Sequence, residues 1–227
     1  RYLLNNYHNI NYYLHLQERV IGIFNYISCH EINFNTYSII NESILIDTCS
    51  FFDSLAQTFI RAKTKNSDSF QNENDVSDFQ DKIDGNKNFN AGDYRKLFEE
   101  EYKFSSHKIN LNLYEDHYYI FPNLYRQGKD LGFDILLFEE WNEEKKTEWW
   151  DAFTKLKHNR IENKQLANLR NVVHSIGGVF ILLSYQYQKD FMKGYVNLDL
   201  YTLFMPKYWR HSGGNSPGIP RWEKIQL

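Results

Sequence analysis

The residues of this chain whose types could do chemistry lie between positions 155 and 174. The first group is Lys155, Lys157, His158 and Arg160, which we call the basic corner. It follows an apolar helical stripe and precedes a turn, so its side chains could converge on a phosphate group. His158 has the right intrinsic pKa for proton transfer, and Arg160 could bind two phosphate oxygens. The alternative is that these cations only complement the helix dipole and face solvent.

The second group is Arg170 and His174, which we call the Arg–His pair. The two residues are four apart, so on a helix their side chains share a face about one turn apart. An arginine can stabilise a charged phosphorus centre while a histidine moves a proton, and this chemistry needs no metal. Asn163 lies on the same edge, and with Lys155 and Lys157 it is a candidate for substrate binding. The alternative is that His174 is an ordinary core histidine.

Other kinds of reactive site find little support in the sequence. The remaining histidines and nearby acids have no ligand spacing, so we predict no metal and no cofactor; these residues include His30, Glu31, His107, His117 and His211. Glycine-rich phosphate loops, the GxSxG turn and the CxxC and HExxH motifs are absent. Cys29 and Cys49 stand in apolar surroundings, which favours buried free thiols.

A long helix predicted over residues 164–190 must position the Arg–His pair. Its apolar residues recur at steps of three or four and form one face: Leu166, Leu169, Val173, Ile176, Phe180, Leu183 and Tyr187. Further apolar residues widen this face, so we expect a central helix. Gly177 and Gly178 leave a flat surface where another backbone could approach closely.

Two more helices are predicted around it. Residues 36–62, opening at Thr36, form an amphipathic helix that we expect to pack antiparallel to the 164–190 helix, because each has a wide apolar face to cover. A shorter stripe of Trp149, Phe153 and Leu156 predicts a helix that ends at the basic corner.

The remaining segments have weaker patterns. Residues 65–90 are acidic and poor in apolar side chains, which predicts a solvated, mobile insertion. Asp93 is a candidate cap for a helix that runs through about Tyr102. Residues 105–140 suit either a small hairpin or extended segments, and 194–227 read as an extended tail anchored by Trp209 and Trp222.

Length and charge restrict the possibilities further. The chain has 227 residues, with a net charge of −3, and we expect a single, mostly α (all-α class) domain over 1–227. Because the net charge is close to zero, the protein has no extended positive surface for nucleic acid, and any RNA contact must be local. The apolar run after Asn171 is interrupted by polar residues, so we predict no membrane association and a cytoplasmic location. Because the chain begins at Arg1, we expect preceding residues in the native protein.

The segment from Trp149 to Arg160 resembles bacterial members of the HEPN superfamily. The residues that carry the resemblance are Trp149-Trp150-Asp151-Ala152-Phe153, then Leu156-Lys157-His158-x-Arg160, followed by a helix with a Gly-Gly waist. The resemblance covers roughly residues 36–190. These proteins are bundles of four or five helices that are common in toxin, abortive-infection and other conflict systems.

The resemblance implies specific expectations about function. Catalytic members carry an arginine and, four to six residues later, a histidine, and they cut RNA without metal, usually as dimers. It therefore implies an RNA-directed defence or toxin-type endoribonuclease, a homodimer, and an antitoxin or other partner protein. Here only three residues separate Arg170 from His174, and His158 precedes Arg160. A non-catalytic dimerisation or protein-interaction module thus stands as the alternative.

Overall fold

The three-dimensional structure is a computed structural model that describes residues 2–65, 73–111, 134–188, 203–206, 209–212 and 221–224. These residues contain six α-helices: α1 Tyr2–Phe24, α2 Ile39–Thr64, α3 Glu73–Asp84, α4 Ala91–Tyr102, α5 Glu148–His158 and α6 Leu169–Gln186. Helices α1, α2 and α5 pack around α6, and α3 and α4 lie against α2. The prediction of a mostly α fold is confirmed.

Helix α6 is the centre of the bundle. It begins after Asn168, whose side chain accepts a hydrogen bond from the backbone N–H of Asn171. Nearly all of its residues are buried, so it is covered on every side by neighbouring elements. A Cβ atom at Gly177 would lie 2.7 Å from the Cδ1 atoms of Ile109 and Leu137. The close approach predicted at the two glycines is therefore made by side chains and not by backbone.

Helices α2 and α6 run side by side in the same direction. Their starts are joined by a short antiparallel bridge, in which the Leu169 N–H donates to the Thr36 oxygen at 2.9 Å. Near their ends, Tyr102 contacts both Phe59 of α2 and Tyr185 of α6. The prediction that these helices pack together is confirmed, but the antiparallel direction was wrong. Helix α2 also begins after Ser38 and not at Thr36.

The acidic stretch predicted to be a solvated insertion contains a packed helix. Helix α3 occupies residues 73–84 and lies against α2. Phe79 is buried and packs edge-on against the buried Phe89, with ring centroids 5.7 Å apart. Two phenylalanines are enough to fix this segment, so the prediction needs correction over 73–90. Residues 66–72 lie outside the described part of the chain.

Helix α4 shows a capping box. Asn90 is the residue that caps it, and the Asn90 N–H donates a hydrogen bond to the Asp93 carboxylate at 2.8 Å. Asp93 was predicted as the cap itself, and the structure places it three residues inside.

The irregular segments form two small sheets. Strand β1, Lys108–Leu111, pairs antiparallel with β2, Asp134–Leu136, and with β3, Phe204–Pro206. Strands β4, Trp209–Ser212, and β5, Arg221–Lys224, form a separate antiparallel pair. The expected extended tail thus contributes strands, while residues 112–133, the rest of the tail and the side chains of Trp209 and Trp222 lie outside the described residues.

Candidate functional site

The structure brings both chemical groups to one end of the bundle, which we call the basic end. It comprises the first turns of α2 and α6, the segment 26–37 that follows α1, and the segment 159–163 that follows α5. Three contacts hold these parts together. The Arg170 N–H donates to the Phe34 oxygen at 3.0 Å, the Ser38 N–H donates to the Ala167 oxygen, and Arg160 forms an ion pair with Glu42.

The Arg–His pair lies on the first two turns of α6, as the sequence predicts. The Arg170 guanidinium carbon stands 5.7 Å from the centre of the Phe34 ring, which forms a cation–π contact. Burial, with a smaller contribution from the Arg170 charge, lowers the pKa of His174 from 6.5 to about 4. His174 is thus neutral near pH 7 and has a positive charge beside it.

Arg160 is engaged within the protein. Its Nε atom lies 2.5 Å from Oε1 of Glu42, a carboxylate on the first turn of α2 whose side chain is only 12% exposed. A largely enclosed carboxylate needs a partner, so this ion pair holds Arg160 against α2. The Arg160 side chain is 64% exposed, so it still faces solvent, but its charge is paired with Glu42 and is not freely available as the sequence suggested.

The substrate-binding candidates have local partners as well. Lys155 forms an ion pair with Asp151 at 2.6 Å, and the Lys157 ammonium stands 4.9 Å from the centre of the Phe153 ring. Both lysines are exposed, so these contacts are weak and exchange readily with solvent or an anion. The Asn163 amide donates to the backbone oxygens of Asn159 and Lys155, and it thereby closes the end of α5.

His158 is the last residue of α5 and is exposed. It lies one turn after Lys155 on a helix end that carries three basic residues, and these side chains complement the negative end of the helix dipole. The structure thus keeps His158 at the surface of the basic end, whereas His174 is half-buried.

The basic end also carries exposed apolar side chains. Among the described side chains, six large apolar residues stay at least half exposed, and all of them belong to this end: Tyr26, Ile32, Tyr37, Ile39, Ile40 and Ile161. A group of exposed apolar side chains at one end of a protein is more often an interaction surface than a surface that stays in contact with water. We call these six residues the apolar patch.

Two residues of the site were not found by reading the sequence. Glu42 looked like an ordinary acid on the polar side of a helix, and only the fold places it against Arg160. Phe34 lies in a segment without a clear helical pattern, yet it is buried beneath Arg170.

Comparisons with protein-family models, curated proteins and solved structures give no match to this chain. Among the described helices, no segment is both long enough and apolar enough to cross a membrane. Within the same residues, no three His, Cys, Asp or Glu side chains come together as potential metal ligands. The functional argument consequently depends on the geometry of the basic end.

Proposed function

We propose that this protein is an RNA-directed, metal-independent endoribonuclease of the kind used in bacterial toxin and defence systems. The single observation that carries the proposal is the placement of a half-buried His174 one turn after Arg170 on α6, where burial and the Arg170 charge keep the histidine neutral. A histidine with a strongly lowered pKa next to a cation, at a surface rich in basic groups, is typical of a functional site. The HEPN resemblance of residues 149–160 agrees with this assignment.

The chemistry requires a base and a cation. His174 would remove the proton of an RNA 2′-hydroxyl, the oxygen would attack the adjacent phosphorus, and the 5′-oxygen of the next nucleotide would leave with a proton from water. Arg170 would stabilise the additional negative charge on the phosphoryl oxygens. The products are a 2′,3′-cyclic phosphate and a 5′-hydroxyl.

Substrate binding would also activate the base. In the empty site, burial and the Arg170 charge disfavour the imidazolium form of His174. A phosphodiester next to Arg170 would neutralise that charge and favour a protonated histidine, so the pKa of His174 would rise towards neutrality. The exposed Lys155, Lys157 and His158 would attract the RNA backbone, while Asn163 would contact the substrate at the end of α5.

The test of this proposal is cleavage of tRNA by the purified protein in excess EDTA. We expect fragments that end in 2′,3′-cyclic phosphate, and we expect a His174→Ala protein purified in parallel to produce none. Intact tRNA after prolonged incubation with the unmodified protein would contradict the proposal, and equal cleavage by both proteins would reveal a contaminant.

A homodimer is the assembly that we propose for this activity. The apolar patch belongs to the basic end, so a second copy docked there would cover Ile39, Ile40 and Ile161 and would bring two Arg–His pairs closer to each other. Light scattering at micromolar concentration should give twice the chain mass of 27.3 kDa.

The dimer prediction can be tested with a charge placed in the patch. Ile39→Glu, at a position that is 85% exposed, should shift the protein to monomers without unfolding it. Ser50→Glu, at an exposed site farther along the same helix, is the matched control and should leave the dimer intact. A monomeric unmodified protein would exclude this dimer.

A non-catalytic interaction module is the second candidate. The observation that favours it is the Arg160–Glu42 ion pair, which uses one predicted catalytic cation for structure. In that case the apolar patch would bind an antitoxin or another partner protein. A protein that dimerises and leaves RNA intact would support this function.

A further inference from the structure

A second site lies at the opposite end of α5. A cavity of about 180 Å³ opens between the first turns of α4 and α5, beside the turn 139–143. Helix α5 has 11 residues, so the cavity and the basic end are separated by roughly 16 Å along that helix. None of the residues assigned to RNA cleavage lines this cavity.

The walls of the cavity are aromatic. Five rings line it, contributed by Phe52, Tyr94, Trp141, Trp149 and Trp150. Four of these side chains are buried and offer only small parts of their rings to the cavity, whereas Trp150 is partly exposed and is the ring most available for stacking. A flat conjugated ring gains about 1–3 kcal/mol from stacking on such side chains.

Hydrogen bonds fix these walls before any ligand arrives. The Tyr94 hydroxyl donates to Asp53 at 2.5 Å and accepts from Gln57 at 2.7 Å. The Trp149 indole N–H donates to the Leu137 oxygen at 3.1 Å. A site whose side chains are already immobilised loses little entropy when a ligand binds.

The rim of the cavity is basic. Arg95, Lys145 and Lys146 line it together with a single acid, Glu144. Arg95 and Glu144 are 3.7 Å apart, and the Glu144 side chain is 80% exposed, so that pair is weak. Thr147 lies at the same rim, is 1% exposed, and makes no capping hydrogen bond to the helix that it precedes. Lys145 pairs with Glu143 at 2.5 Å, and both side chains are about two-thirds exposed, so this pair is weak as well and can open to an anion at the rim.

We propose that the cavity binds a single unpaired nucleotide, with the base among the aromatic rings and the phosphate at Arg95, Lys146 and Thr147. The cavity volume suits one ring system and is too small for a larger ligand. A free mononucleotide and an unpaired nucleotide within RNA present the same chemistry. The proposal requires no cleavage and is independent of His174.

The test measures binding by the full chain in EDTA, through quenching of tryptophan fluorescence and through calorimetry. The probes are AMP, adenosine, inorganic phosphate, tetramethylammonium and a single-stranded DNA tetranucleotide, which has no 2′-hydroxyl to cleave. We expect AMP or the tetranucleotide to bind about tenfold more tightly than adenosine or phosphate alone, with an affinity that falls as salt rises.

Two variants localise the binding. A Cβ atom at Gly92 would meet only the Asn90 Oδ1 atom at 3.1 Å, a tight contact that a shift of the Asn90 side chain by a few tenths of an ångström relieves, so Gly92→Leu should block the cavity and abolish binding. Gly22→Leu is the matched control, because a Cβ atom there meets nothing within 4 Å. Lys146→Ala should weaken binding about tenfold through loss of one charged contact.

The outcomes distinguish a free nucleotide from a base within a nucleic-acid strand, and they show whether the proposal holds. Saturable AMP binding identifies a free nucleotide as a ligand, and binding of the tetranucleotide alone identifies a base within a nucleic-acid strand. The proposal is overturned by equal affinity for inorganic phosphate and AMP, by tighter binding of tetramethylammonium, or by nucleotide binding that survives Gly92→Leu. Failure of RNA cleavage with intact nucleotide binding would reject only the proposed catalytic function.

Discussion

Replacing His174 by alanine is expected to lower the rate of RNA cleavage about 10²–10⁴-fold, which is the usual contribution of a positioned general base. His174 is the neutral histidine that stands beside a cation at the basic end, and its loss removes the group that accepts the 2′-hydroxyl proton. Because the effect belongs to the transition state, it should appear in kcat and leave KM almost unchanged. Single-turnover cleavage of a labelled RNA, with saturating protein, measures it directly.

Three further variants test whether the effect is specific to His174 and Arg170. Arg170→Lys should retain more activity than Arg170→Ala, because a lysine keeps the charge but loses the paired donors of a guanidinium. His158→Ala is the comparison for location, because His158 is exposed and adjoins Arg160, which is held by Glu42. A larger loss in His158→Ala than in His174→Ala would move the reaction centre to the end of α5.

The helices were the most predictable part of this molecule. Helices α2, α5 and α6 have apolar residues at helical spacing, and such a pattern specifies a helix and its buried face without knowledge of the fold. The relative direction of two helices cannot be predicted in this way, because a wide apolar face can pack against a parallel or an antiparallel neighbour equally well. The direction of α2 and α6 depends on the bridge between Thr36 and Leu169, which joins residues far apart in the sequence.

Segments with few apolar residues were harder to predict. Helix α3 is anchored by Phe79 and Phe89. The segment around them is acidic on average, and its overall composition therefore hides the two apolar residues that pack. Strand β1 depends on partners in β2 and β3, and β3 lies more than ninety residues away in the chain. The alternation along β1 alone is too short to show this pairing.

The candidate site was predictable in its residue types and not in its partners. The sequence indicated Arg170 and His174 as one pair because a helix fixes their separation. It gave no sign that Glu42 would bind Arg160 or that Phe34 would lie under Arg170, because these contacts cross between elements. The aromatic cavity was missed for the same reason, since its five rings come from four elements that are separate in the sequence.

Acidification is expected to destabilise the protein through His174. Its pKa is about 4 in the folded protein, whereas an exposed histidine in the unfolded chain has a pKa near 6.5. Between these values the unfolded chain binds a proton that the folded protein does not, so the free energy of unfolding falls as the pH is lowered. The loss should reach about 2 kcal/mol at pH 4.5 and approach about 3 kcal/mol below pH 4.

Urea denaturation at pH 7.0 and pH 4.5 measures this loss, and His174→Gln should remove it because glutamine does not titrate. Other groups also titrate in this range, so the informative quantity is the difference between the pH dependence of the unmodified protein and that of the variant. His158→Gln is the matched control, since that exposed side chain should leave the pH dependence almost unchanged. If His174→Gln and the unmodified protein lost the same free energy, His174 would be open to solvent, and the enclosed base on which the catalytic proposal depends would not exist.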